Sequence, residues 1–373
     1  MQEYKRVIVY RIGSMGDTLA VLPAFHLVRR TFPAAHITLL TNVPVNARAA
    51  PMASILGDGH FIDDTLAYPT SLRDAAKLRA LRLQILDGGY DCLVYLTEPK
   101  GGLLTSLRDY VFFRSCGINR VIGVPFARRV LRPERLPDSE RFMSETARVL
   151  ECLRQLGTID PKDERSWDLQ LTPGEIREAE TILRSRGIRD PFLAASVGTK
   201  VPANDWEEHN WKGLVQRLAD SLRGLPLVLL GANDERERSE RLLQIWKGPK
   251  ANLCGQTEPR VSAAVLRGAK VMVCHDSGPM HLAATMGVPC VAIFSARNPP
   301  GVWYPRGENH TVLYHRTPCW GCKLTECIEE KKACILAITV DEVFEAVLLQ
   351  LARGLLGAPG TGGEARTGGT SRA

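Results

Sequence analysis

Two stretches of the chain alternate short, wholly apolar runs with longer segments of helical period, and that alternation limits the possible folds more than any other feature. Strands buried on both faces belong to parallel sheets covered by helices. The first stretch opens with RVIVYRI (6–12) and turns through GSMGD into a segment whose Leu19, Leu22, Phe25, Leu27 and Val28 recur at helical spacing. It returns as HITLLT (36–41), and further strands are predicted at CLVYL (92–96) and over 121–124. The second stretch follows a polar, Pro-containing connection. It reads FLAASVG (192–198), a helix over 211–222, PLVLLG (226–231), a charged helix over 234–246 and a helix over 261–267. KVMVCHD (270–276), a helix over 279–286 and VPCVAIF (288–294) complete it. The fold class expected is α/β, with two facing Rossmann-like, doubly wound domains and a final amphipathic helix over 340–351.

A length of 373 residues suits two domains. The boundaries expected are a first domain over 1–160, a linker over 161–175, a second domain over 176–338, a C-terminal helix over 339–356 and a tail over 357–373. The tail is glycine-rich with almost nothing to bury, which predicts disorder. A net charge of +7 does not mark a dedicated nucleic-acid binder. Its distribution is uneven, because eight basic residues between Lys100 and Arg135 face only Asp109 and Glu134. A solvated basic face is the plain reading of that stretch and an anionic partner the sharper one. The N-terminus lacks a signal peptide's uncharged core, and no apolar run reaches bilayer-spanning length. A cytoplasmic protein is expected, with membrane contact, if any, peripheral on the inner face.

Chemistry concentrates at two strand ends. In open α/β sheets ligands bind beyond the carboxyl ends of the strands, where helix N-termini present backbone N–H groups. The first end is Arg11-Ile12-Gly13-Ser14-Met15-Gly16-Asp17. Asp17 at the mouth of a helix is by itself more often a cap than a catalyst, and the glycine pattern is not the dinucleotide fingerprint GxGxxG. The second is Asp276-Ser277-Gly278-Pro279-Met280-His281, where Ser277 can cap, Gly278 exposes backbone and Pro279 suits the first helical position. A well-capped helix with a core histidine is one reading; a diphosphate pocket flanked by a carboxylate and a histidine is the other. Of ten cysteines, six are scattered and read as core. Cys319, Cys322, Cys327 and Cys334 fall within sixteen residues, compact enough for structural zinc or an iron–sulfur centre but without zinc-ribbon spacing. Free thiols and a structural site stand as equal alternatives.

The opening R-x-G-S-x-G-D-x-x-x-x-L-P together with H-D-S-G-P-M-H-L-A-A-x-x-G-V-P-x-V-A-I-F resembles family 9 glycosyltransferases, the bacterial ADP-heptose:lipopolysaccharide heptosyltransferases and their relatives. The resemblance spans about 6–351 and implies the GT-B architecture, with the acceptor on the first domain, the nucleotide-sugar on the second and a last helix crossing back. It implies Asp17 as general base, with Arg11 and Ser14 touching an anionic acceptor. Asp276 would hold the donor sugar, and Ser277, Gly278, Pro279, Met280 and His281 would line its diphosphate. Thr199 resembles a phosphate-contacting threonine, and Glu235 a carboxylate that binds the nucleotide ribose. Where relatives read K-x-W-P, this chain has Asn204-Asp205-Trp206-Glu207, which leaves Lys200 as the available substitute for the lost lysine.

The reaction implied is an inverting displacement that needs no metal or other cofactor, moving a heptose from ADP-heptose to a lipopolysaccharide core or related glycan. Arg120, Arg128 and Arg129 would then meet an anionic glycolipid acceptor, and no nucleic-acid partner is expected. The rivals are a family 9 transferase using another nucleotide-sugar, and a non-catalytic nucleotide-sugar-binding protein.

Overall fold

The computed structural model describes residues 4–43, 51–57, 59–69, 74–98 and 101–353. Lys100 and the 357–373 tail therefore lie outside the described residues. Each apolar stretch forms its own sheet. The first domain runs β1 (Arg6–Tyr10), α1 (Met15–Leu19), α2 (Leu22–Thr31), β2 (His36–Val43), α3 (Ala53–Leu56), β3 (Asp64–Pro69), α4 (Ala75–Asp87), β4 (Cys92–Tyr95), α5 (Leu103–Ser115), β5 (Arg120–Ile122), α6 (Arg128–Leu131) and α7 (Glu145–Cys152). The second runs α8 (Pro173–Ser185), β6 (Phe192–Ser196), α9 (Glu208–Ser221), β7 (Leu227–Leu229), α10 (Arg236–Leu243), β8 (Lys250–Asn252), α11 (Pro259–Leu266) and β9 (Ala269–His275). It ends with α12 (Gly278–Thr285), β10 (Cys290–Phe294), β11 (Thr311–Tyr314), α13 (Ala333–Leu336) and α14 (Val340–Arg353).

The strand orders are β3-β2-β1-β4-β5 and β11-β10-β9-β6-β7-β8, and every pairing is parallel. The order reverses direction beside β1 and again beside β6, so each sheet has its crevice beyond the carboxyl ends of those strands. The strands absent from the sequence reading are β3, β8 and β11. All three lie toward the sheet margins and are partly exposed, so they carry no continuous apolar run.

The core is continuous between the domains. One cluster joins Val7, Phe25 and Val94 of the first domain to Phe192, Met272 and Ala283 of the second. A separate cluster on the outer face of the second sheet holds Trp206, Trp211 and Trp246 together with Val343 and Val347 of α14. α14 packs mainly on α9, β9, β10 and β11, where its apolar face completes the tryptophan cluster of its own domain. The first helix of the second domain starts inside the expected linker. α8 begins at Pro173, where Thr172 and Glu175 form a reciprocal capping box: Glu175 N–H donates to Thr172 Oγ1 at 3.2 Å and Thr172 N–H to Glu175 Oε2 at 2.7 Å.

Arg11, at the carboxyl end of β1, is 2% exposed and its guanidinium pairs with Glu145 at 3.0 Å. Arg148 donates to the same carboxylate at 2.6 and 2.8 Å. The approach to α7 is itself bound to the second domain, through Phe142 N–H to the Pro300 carbonyl at 2.7 Å and Glu145 N–H to the Val302 carbonyl at 3.0 Å. Removing one partner from a buried ion network leaves the others uncompensated. Glu145→Ala is therefore expected to destabilise the protein by about 3–5 kcal/mol, read as a fall in the denaturant midpoint at unchanged m-value.

Candidate active site

The turn after β1 is shaped around one carboxylate. Gly13 has φ +138°, and a Cβ there would lie 2.6–2.8 Å from the Asp17 side chain, so glycine makes room for Asp17 to fold back. Asp17 Oδ2 then accepts Ser14 N–H at 2.6 Å and Ser14 Oγ–H at 2.8 Å. The capping role is thus real, yet it uses one oxygen only. Among the described residues Oδ1 receives no hydrogen bond, which leaves a lone pair for a proton.

The second domain closes on this turn. Lys200, in the loop after β6, donates to Ser14 Oγ at 2.6 Å and stands 3.7 Å from Asp17 Oδ2. Contact this close rests on two glycines: a Cβ on Gly16 would lie 3.1 Å from Gly278 Cα, and one on Gly278 would lie 2.7 Å from Met15 Cε. Burial pushes the Asp17 carboxyl up, but Lys200, Arg11 and the two Ser14 donors outweigh it and hold the group below its ordinary range. Asp17 is ionised at neutral pH.

Asp276 sits across from it at the end of β9. Burial raises its carboxyl to about 6, against the opposing pull of Arg297, an Asn298 hydrogen bond and Lys200. Asn204 donates to the Asp276 carbonyl at 3.3 Å and accepts from Ser295 Oγ at 2.5 Å, so the residue standing in the lysine position is a buried brace. His275 is buried and neutral, its pKa pushed by burial down to about 4. Its Nε2 accepts Trp206 N–H at 3.2 Å and its Nδ1 bonds the Gly198 carbonyl at 3.1 Å. That pair of bonds anchors the loop carrying Thr199 and Lys200. Glu235 reaches back from the end of β7 between Gly198 and Gly231, where a side chain at either glycine would overlap it, and it accepts Ala232 N–H at 3.2 Å.

The structure brings Ser14, Asp17, Lys200, Asp276 and Gly278 together where the two domains meet, with Ser277 and Pro279 flanking Gly278 and Thr199 and Glu235 on the second-domain side. Thr199 Oγ1 is engaged in its own turn, accepting Val201 N–H at 3.2 Å. Several expectations change. Arg11 lies under the crevice, committed to Glu145 and to the Asp17 carbonyl at 2.7 Å, so it positions the turn and does not meet an acceptor. The Met280 side chain is fully buried in the core, and its N–H turns to the Ser277 carbonyl at 3.2 Å; it lines no ligand. His281 is buried against Gly16, with burial pushing its pKa down to about 4, so it offers a neutral ring. Arg120 pairs in register with Cys92 at the start of β4, which places it at the amino edge of the sheet, away from Asp17. Arg128 and Arg129 follow the carboxyl end of β5 and are exposed, Arg129 paired to Glu151.

Sequence reasoning missed Asn204's bracing role, Arg297 and Asn298. The last two follow β10 at the same carboxyl edge, and that position was the available signal. Cys319, Cys322, Cys327 and Cys334 line one cavity. Lys332 N–H donates to Cys327 Sγ at 3.4 Å and Ala296 N–H to Cys334 Sγ at 3.3 Å. Among the described residues no three His, Cys, Asp or Glu side chains are set to hold a metal ion, and none of the four thiols is in a disulfide.

Two facing Rossmann-like sheets whose carboxyl edges meet across a carboxylate-bearing crevice define the GT-B class of glycosyltransferase folds. The family model for glycosyltransferase family 9 (heptosyltransferase) matches residues 111–333. Lipopolysaccharide heptosyltransferase 1 of Pseudomonas aeruginosa is 26% identical, over 86% of this chain and 87% of that protein. A family 9 glycosyl transferase structure from Veillonella parvula superposes with a TM-score of 0.67 at 18% identity, covering 95% of this chain and 99% of that one. The E. coli heptosyltransferase WaaC with ADP-2-deoxy-2-fluoro heptose gives 0.59 at 18% identity, covering 92% and 99%. The chain belongs to glycosyltransferase family 9 and is a glycosyltransferase of the heptosyltransferase kind.

Two outcomes follow from this geometry. Asp276 carries charge only above about pH 6, whereas Asp17 is already ionised there. The rate should therefore rise with pH through about 6 and then level. Lys200→Met removes a cation that lowers both groups, and should move that limb to higher pH; an unmoved limb would contradict the pairing. Gly16→Val sets a branched side chain against the Gly278 backbone and should hold the lobes apart, lowering kcat about tenfold or more and enlarging the radius of gyration in solution scattering.

Proposed function

We propose that the protein transfers a heptose from ADP-heptose to an anionic, lipid-linked lipopolysaccharide core acceptor, with inversion at the anomeric carbon. The observation that carries this reading is the ionised Asp17 set opposite Asp276 and beside Lys200 where the two lobes meet. In the proposed reaction Asp17 Oδ1 takes the proton of an acceptor hydroxyl as its oxygen attacks the anomeric carbon. ADP departs toward Lys200 and the N-terminus of α12, whose charge and dipole offset the developing negative charge. Asp276 binds sugar hydroxyls, Thr199 and Ser277 face the phosphates, and Glu235 reaches the ribose. Closure of the lobes keeps water from the donor.

The family, the relative spanning most of both chains and the structure solved with a heptose donor analogue support this choice of sugar. No step passes through a metal, and the cysteine cavity takes no part. Arg128 and Arg129 are the proposed contacts to acceptor phosphates, at work on the cytoplasmic side of the membrane. Among the described residues no helix is long and apolar enough to cross a membrane.

The test combines binding and turnover. ADP and ADP-heptose should raise the melting temperature while UDP, GDP and CDP do not, and a chelator should leave the transfer rate unchanged. Asp17→Asn should keep the ADP-induced shift and lose about 10²–10⁴ in kcat. A variant with near-normal kcat would remove Asp17 as the base, and stabilisation by another nucleoside diphosphate in place of ADP would replace the donor.

A further inference from the structure

The outer face of the first domain is built unlike the rest of the surface. α4 and α5 lie side by side over Tyr10, Leu93 and Tyr95, to which they give Leu81, Ile85 and Phe113. Arg82 Nε reaches Ser115 Oγ at 3.3 Å between them. Burying one face should leave the other polar. On α5 it does not. Leu103, Leu104, Leu107 and Val111 are 52, 79, 51 and 57% exposed, and their spacing puts them within one third of the helix circumference, opposite the buried Ser106, Asp109 and Phe113. Leu83 and Leu86 of α4 are also exposed.

The charge around these side chains is one-sided. The two helices carry Lys77, Arg79, Arg82, Arg108 and Arg114. Their carboxylates are Asp87, at the end of α4, and Asp109, which turns inward to accept from Tyr95 Oη at 2.8 Å and binds Arg108. Position adds the functional link. β4 lies beside β1 in parallel register, so α5 starts at the same carboxyl edge as the Asp17 turn, and Leu103 and Leu104 stand at the mouth of the acceptor side.

We propose that the α4–α5 face docks on an anionic bilayer surface, with the α5 leucines entering the headgroup boundary and the arginines and lysine meeting lipid phosphates. An exposed apolar stripe edged by cations suits that interface. A second copy of this chain would set like charges against each other. The inference rests on the reading of the acceptor as a lipid-linked glycan for its purpose, but its test uses no turnover.

The full chain is sedimented with vesicles of phosphatidylethanolamine and phosphatidylglycerol, and separately with phosphatidylcholine alone. Binding is expected to the anionic vesicles and to weaken at about 0.5 M salt, where the Debye length is a few ångströms. Leu104→Glu with Leu107→Glu should lower the bound fraction about tenfold, with the melting temperature and its ADP-induced shift unchanged, which shows the variant folded. Wild-type protein that stays in the supernatant overturns the proposal. So does a double variant that binds as well as wild type, since charge alone would then act, or light scattering that finds a dimer which the variant dissociates. Failure of the heptose reading would instead appear as absent transfer, with vesicle binding intact.

Discussion

The contact of Lys200 with Ser14 and Asp17 holds the rest of the site in register. It spans the two domains, and without it Asp17 would be only the cap of a five-residue helix. The ion pair itself is weak, because both side chains are partly exposed and water screens them. What makes the contact possible is the absence of side chains at Gly16 and Gly278, where the lobes meet backbone to backbone. Its consequence is chemical. The lysine helps keep Asp17 charged while one oxygen is spent on Ser14 and the other, among the described residues, receives no hydrogen bond.

Around that contact the carboxylates divide by environment. Asp17 is surrounded by donors and stays low, whereas Asp276, with fewer, is raised by burial. Opposite shifts in two facing acids suit different roles, one to receive a proton and the other to hold neutral hydroxyls. The supports lie one layer deeper. Arg11 fixes the Asp17 turn from below through its buried pairing with Glu145. His275 and Asn204 fix the Lys200 loop and the Asp276 backbone. These residues touch no crevice surface, and their work is positional.

The central strands were legible because each is buried on both faces and so reads as an unbroken apolar run, from RVIVY at β1 to CVAIF at β10. Asp17, Asp276 and Lys200 could be named because ligands gather at the carboxyl ends of such strands, and the family resemblance sharpened the choice. Arg11 and Met280 lie in the same motifs as Asp17 and Asp276 but turn into the interior, and the order of letters does not say which way a side chain turns. Arg120 failed for another reason. Its distance from Asp17 follows from strand register, which pairs it with Cys92. The last helix runs over Val340–Arg353, and its apolar face joins the tryptophans of its own domain.

The sequence by itself determined the two parallel sheets, the turns that end β1 and β9, and the family, since local periodicity and short motifs carry all three. Only the tertiary structure decided that Lys200 crosses to Asp17, that Arg11 is consumed by Glu145, and that leucines of α5 face outward beside arginines. Each of these depends on which surfaces meet once the helices are packed, and a side chain's partners across a domain interface leave no trace in the spacing of residues along one chain.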